Sequence, residues 1–213
     1  MELSDWSLLF AGAWTTLWIS GSAILIGIPA GLVLVLIRGL NIRWLNLVIA
    51  FYISVARASS LVTLVLLIYF GIPSFGIDLS PQAAAILALT INTTAFNAEI
   101  WRSSFQAFPR EQIEAAYAAG MTRSLMLRRI ILPQIIVSSL PMFINEMSLL
   151  LKSSPAVAVV GVVDLTRVTN RIAAVTYDAM PSILAAGLLY MVMVGIMVWL
   201  QRIAENRARN LVM

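Results

Sequence analysis

Cysteine and histidine are both absent from the 213 residues. Their absence excludes a thiol nucleophile, a Cys/His metal site, a histidine base and a disulfide framework. Charge is scarce as well: 14 basic and 10 acidic residues make up 11% of the chain. The sequence also lacks a Gly-x-x-x-x-Gly-Lys-Ser/Thr phosphate loop, so no nucleotide-binding motif of that kind is available to it. No catalytic residues and no cofactor are expected. What remains is apolar, with 61% hydrophobic residues and a mean hydropathy of +0.93. Soluble domains use about 45–50% apolar and about 25% charged residues, so the bilayer is the solvent here.

Five apolar runs are long enough to cross about 30 Å of hydrocarbon. They lie within Trp6 to Ile37, Leu45 to Phe70, Ala83 to Trp101, Ile130 to Leu151 and Ser182 to Leu200. The reading is an all-α membrane protein of five transmembrane helices, forming one domain over residues 1–213, without internal repeat or low-complexity segment. The opening Met1-Glu2-Leu3-Ser4-Asp5 has neither a basic region nor a small-residue cleavage site, so the first run is expected to be a retained span. Arg38 and Arg43, the Arg102 to Arg129 segment, and Arg202, Arg207 and Arg209 all follow odd-numbered spans. The positive-inside rule then puts the N-terminus outside and the C-terminus in the cytoplasm. The same topology explains the net charge of +4 without nucleic acid as a partner.

The main polar stretch contains a short helix of its own. Pro109 suits its first turn, Glu111 and Glu114 its positive N-terminal end, and Gly120 its stop. Ala115, Ala116, Ala118 and Ala119 give it a narrow surface. Small residues of this kind let another helix approach closely. On composition alone, an amphipathic connector lying against the membrane fits as well as a surface for a partner protein.

The spacing decides between the two. Glu114-Ala115-Ala116, then Gly120, then Ile130-x-Leu132-Pro133 resembles the cytoplasmic loop of bacterial ATP-binding-cassette (ABC) importer permeases. Leu67-Ile-Tyr-Phe-Gly-Ile-Pro73, Asn97-Ala-Glu99-Ile-Trp-Arg102 and Leu150-Leu-Lys152 are similar to the polar amino-acid permeases within that family. The resemblance implies the type I importer permease fold, with a cytoplasmic coupling helix in a segment of about 109–133. Glu114, Ala115, Ala116, Gly120, Arg123 and Pro133 are its expected ATPase-coupling residues. It further implies a multi-pass protein of the bacterial inner membrane, embedded in lipid. The implied partners are a cytosolic dimer of ABC ATPases that binds the ATP, a second permease chain, and a periplasmic or lipid-anchored solute-binding protein. A permease for another solute such as methionine, and a self-contained secondary transporter, are the alternative readings.

Two charges fall inside spans. Arg57 and Glu146 each lie about 20 Å into their helices at about 1.5 Å per residue, which puts both past the midplane toward the outside. Buried charges are expensive in a bilayer and persist when they meet a cavity, a countercharge or a substrate. Two roles fit: an Arg57–Glu146 ion pair joining helices, or a site in which Arg57 takes a substrate carboxylate and Glu146 an ammonium. In the resembled family an arginine of the second helix and an acid of the fourth contribute to such a site.

Two departures from the family stand out. Ala58-Ser59-Ser60 replaces Gly-Thr-Pro, and Ser153 stands where an aspartate is usual, one heptad after Glu146. With that acid gone, a heteromeric pair with a sister chain holding the full site is favoured over a homodimer, and a substrate lacking a second positive group also fits. Glu99 is expected to pair with Arg102 one turn on, while Asn92 and Asn97 either line a pathway or bond between helices. Pro133 and Pro141 are expected to kink the fourth helix.

Overall fold

The structure is a computed structural model describing the backbone of residues 3–212 and the side chains of 4–206. Arg207 and Arg209 of the basic tail lie outside the described side chains. No strand occurs among the described residues. The helices are α1 (Leu3–Arg38), α2 (Arg43–Ala58), α3 (Leu61–Gly71), α4 (Pro81–Ala107), α5 (Arg110–Ala118), α6 (Arg123–Met126), α7 (Leu132–Ser153), α8 (Leu165–Thr176) and α9 (Ala179–Val212). Four unbroken spans result, and the bent pair formed by α2 with α3 brings the number to five.

The first span extends beyond Trp6 to Ile37, because α1 is one rod of 36 residues. The second is not the straight span expected over Leu45 to Phe70. It breaks at Ser59 and Ser60, both in extended conformation, and its halves meet at 111°. Serine hydroxyls compete for backbone groups, and here Ser59 Oγ donates to the Ala56 carbonyl at 3.0 Å. Asn92 Nδ2 of α4 reaches the same carbonyl at 3.2 Å. A break in a span is tolerated where protein groups satisfy the freed backbone, and these two donors do so.

Close approach of α1 to α4 forms the centre of the fold. A Cβ at Gly27 would sit 2.3 Å from Thr93 Cγ2, and one at Gly31 would sit 2.8 Å from the Ala98 backbone nitrogen. Only hydrogen fits at either position, and the four-residue spacing puts both on one face, as in small-residue contacts between membrane helices. Ala84, Ala85 and Ala88 are fully buried on α4, and Trp101 Nε1 donates to the Ile28 carbonyl at 3.0 Å.

The connection between the last two spans is ordered. Ser154–Val160 forms a 3-10 turn, and α8 presents Leu165, Val168 and Ile172 to the core. Asp164 caps α8 by accepting from the Arg167 and Thr166 amides at 2.9 and 3.3 Å. Thr16 Oγ1 of α1 accepts from the Leu165 amide at 3.2 Å, fastening this end of the molecule to the first span.

Candidate functional site

Pro109 is the N-cap of α5 instead of lying in its first turn, so the helix opens at Arg110 with Glu111 just inside. Its stop is at Gly120, whose φ of +75° lies in the left-handed region. Gly120 N–H donates to the Tyr117 carbonyl at 2.9 Å and Met121 N–H to the Ala116 carbonyl at 3.0 Å. Those two bonds make a Schellman motif, which satisfies carbonyls the helix would otherwise leave open.

One alanine of the expected partner surface faces the other way. Ala116 is 4% exposed, packed with Trp101, Phe108, Met126 and Phe143, whereas Glu114, Ala115, Ala118 and Ala119 are exposed. A nine-residue helix lying on the spans needs an inward face, and Ala116 with Ile113 supplies it. Thr122 caps α6 by accepting from the Leu125 amide at 3.4 Å, and Arg123 is exposed in that first turn. A π turn over Leu127–Ile131 then leads into α7, so α6, the π turn, α7 and the 3-10 turn form one span from Arg123 to Val160. Pro133 stands exposed in the first turn of α7, and Pro141 lies inside it. Gln134 Nε2 donates to Gln112 Oε1 at 3.0 Å, a direct bond between α5 and the base of α7.

Arg57 and Glu146 are not joined by an ion pair. Among the described residues, the ion pair is the one between Arg102 and Glu99, whose Oε1 accepts from Arg102 Nε at 2.8 Å as the spacing leads one to expect. Arg57, in the last turn of α2, is exposed on this chain and holds its guanidinium 5.2 Å from the centre of the Phe96 ring. From there it acts electrostatically on both Glu99 and Glu146.

Glu146 is buried in the protein. It shares an open groove of about 360 Å³ with Ile100, Gln201 and Glu205, close to the last turns of α4 and near the far end of α9.

Two other candidates separate from this cluster. Asn92 turns its amide to the α2 backbone and is a contact between helices. Ser153 is exposed at the last residue of α7, about 10 Å along the axis from Glu146, and does not line its groove. Glu205, Gln112 with Gln134, and the Gly27/Gly31 pair were not singled out in the sequence. Of these only the glycine pair carries a local signal, its four-residue spacing.

Residues 23–210 match the family of binding-protein-dependent transport system inner membrane components. The chain belongs to this family. The arginine transport system permease protein of Bacillus subtilis (strain 168) is 32% identical over 203 residues, covering 95% of this chain and 93% of the relative. The crystal structure of an amino acid ABC transporter superposes with a TM-score of 0.88 at 36% identity, over 94% of each chain. The methionine ABC transporter MetNI in an inward-facing conformation shares the fold, with a TM-score of 0.75 at 21% identity over 99% of each chain. This inner membrane component is thus a multi-pass type I importer permease, and family membership brings ATPase and substrate-binding partners with it. A self-contained secondary transporter is excluded.

Proposed function

We propose that this permease carries a polar amino acid inward by alternating access, with its N-terminus outside and α5 docked on a cytosolic ATPase. The observation that carries the proposal is the construction of α5. One face is bonded and packed to α7 through Gln112–Gln134 and Ala116, while the opposite face offers Glu114 and Ala115 to solvent, and Arg123 is exposed in the following helix, α6. Force applied to the exposed face passes into the rod that bears Glu146. ATP binding closes the partner ATPases and opens the site outward, and hydrolysis returns it inward.

At the site, the solute's carboxylate meets Arg57 and its ammonium meets Glu146. Their lack of a mutual ion pair leaves each charge free to take up a solute group. Exposure of Arg57 on a single chain suits a site completed by a second permease subunit. A heteromeric pair is the favoured arrangement, since Ser153 withholds an acid that the family usually places there.

The turn at Gly120 supplies the test. A Cβ there meets no neighbour within 4 Å, but the left-handed backbone opposes any branched residue by about 1–2 kcal/mol. In Gly120→Val the junction of α5 with α6 is therefore redirected while the spans are untouched. Reconstituted complexes are expected to hydrolyse ATP and insert normally, yet to move less solute per ATP. An unchanged ratio of uptake to hydrolysis contradicts the coupling role.

A further inference from the structure

Two hydrogen bonds tie the end of α2 to α4. Tyr52 Oη donates to the Ile91 carbonyl at 2.7 Å, and Asn92 Nδ2 donates to the Ala56 carbonyl at 3.2 Å. They place the backbone next to Arg57 without reaching its side chain. An arginine side chain is long and rich in rotamers, so fixing it only when a ligand arrives costs affinity. Among the described residues no carboxylate pairs with the Arg57 guanidinium and no hydrogen-bond acceptor meets it. What holds it is the half-buried Phe96, with the guanidinium carbon 5.2 Å from the centre of the ring.

Glu99 follows Phe96 by one turn of α4 and acts on Arg57 electrostatically, but its carboxylate is committed to another arginine. Arg102 Nε and Nη2 both donate to Glu99 Oε1, and Arg102 Nη1 donates to Gln106 Oε1 at 2.6 Å. The difference matters chemically. A carboxylate partner would take up the N–H donors that a second carboxylate needs, and the newcomer would have to displace it. An aromatic face attracts the cation through its ring electrons and presents no lone pair to those donors. The fork of the guanidinium thus stays available for a bidentate bond. The position of the ring suits this use. Asn92, Phe96 and Ile100 follow one another at four-residue steps, so one face of α4 runs from the end of α2, past the ring beneath Arg57, to the wall of the groove that Glu146 lines.

We infer that Phe96 is a positioning residue for solute recognition: its ring holds the Arg57 guanidinium against α4 with the N–H donors unoccupied, ready for the α-carboxylate of the solute. The inference rests on the reading of Arg57 as the group that takes that carboxylate.

The test measures binding to the purified permease–ATPase complex in lipid nanodiscs, without the solute-binding protein, whose own selectivity would mask that of the permease. Labelled L-arginine, L-histidine, L-glutamine and L-glutamate are the probes, and the α-carboxamide of each is the competitor that lacks the carboxylate. In the unmodified complex at least one probe is expected to bind, with its carboxamide weaker by about tenfold or more. Phe96→Leu keeps an apolar side chain and removes the ring. It is expected to raise Kd for the amino acid about fivefold and to leave that of the carboxamide within about twofold. Phe96→Tyr keeps the aromatic face and is expected to bind as the unmodified complex does. A purely structural role would weaken the amino acid and its carboxamide alike, and that result overturns the inference, as does an unchanged Kd for the amino acid in Phe96→Leu. If Phe96→Leu fails to assemble, pentafluorophenylalanine at position 96 decides, because it retains the ring and makes its face electron-poor. Binding about fivefold weaker is then expected, and unchanged binding overturns the inference. A carboxamide that binds as well as its amino acid in the unmodified complex, or no binding by any of the four probes, overturns instead the reading of Arg57 on which the inference rests.

Discussion

Asn92 shows how a polar residue in a span is committed by its geometry. Its amide spans from α4 to the Ala56 carbonyl, at the point where α2 ends and the span breaks. Replacing it with leucine keeps the volume and removes the donor, leaving that carbonyl to Ser59 Oγ alone. Hydrogen bonds between membrane helices are worth about 0.6–2 kcal/mol, so Asn92→Leu is expected to lower the unfolding temperature of the purified chain in detergent while KM for uptake stays within about twofold. A large rise in KM without loss of stability returns Asn92 to the solute pathway. Its two possible roles were both legible in the sequence, but choosing between them needs the partner helix, which lies 36 residues away along the chain. The Glu99–Arg102 pair was legible outright, because an i,i+3 relation within one helix requires no tertiary information.

Among elements, α1 and α4 carry the scaffold, and in the proposed mechanism α5 to α7 carry the motion. The scaffold depends on Gly27 and Gly31, so Gly31→Leu is expected to push α1 away from the Asn97–Ala98 backbone. Overpacking of this kind typically costs about 1–3 kcal/mol and is read as a fall in thermal stability in detergent. Gly21→Leu, with nothing within 4 Å of its new Cβ, serves as the control and is expected to leave stability unchanged. The number of spans and the stop of α5 at Gly120 followed from run length and glycine chemistry. The break at Ser59–Ser60 did not, because serines are ordinary in straight membrane helices and the bend depends on Asn92 arriving from α4. Burial of Ala116 was hidden for a similar reason. A helix of small residues has no strong apolar stripe, and which alanine turns inward is settled by Trp101 and Phe143.

For the molecule as a whole, the family was legible because the coupling segment and its flanking motifs keep fixed spacings along the chain. The solute site was not, since Arg57 of α2 and Glu146 of α7 come from different helices and act on each other only after folding. The central claim is mechanical: α5 hands the work of a foreign ATPase to the rod that bears Glu146. The chain has no cysteine, so Ala115→Cys introduces a single thiol on the exposed face of α5 without disturbing Ala116. Cross-linking from that position in the assembled complex is the most direct measurement. A link to the ATPase subunit is expected. A thiol that reacts with a membrane-impermeant reagent from the outer face of intact cells, while forming no link to a co-purifying ATPase, contradicts the account.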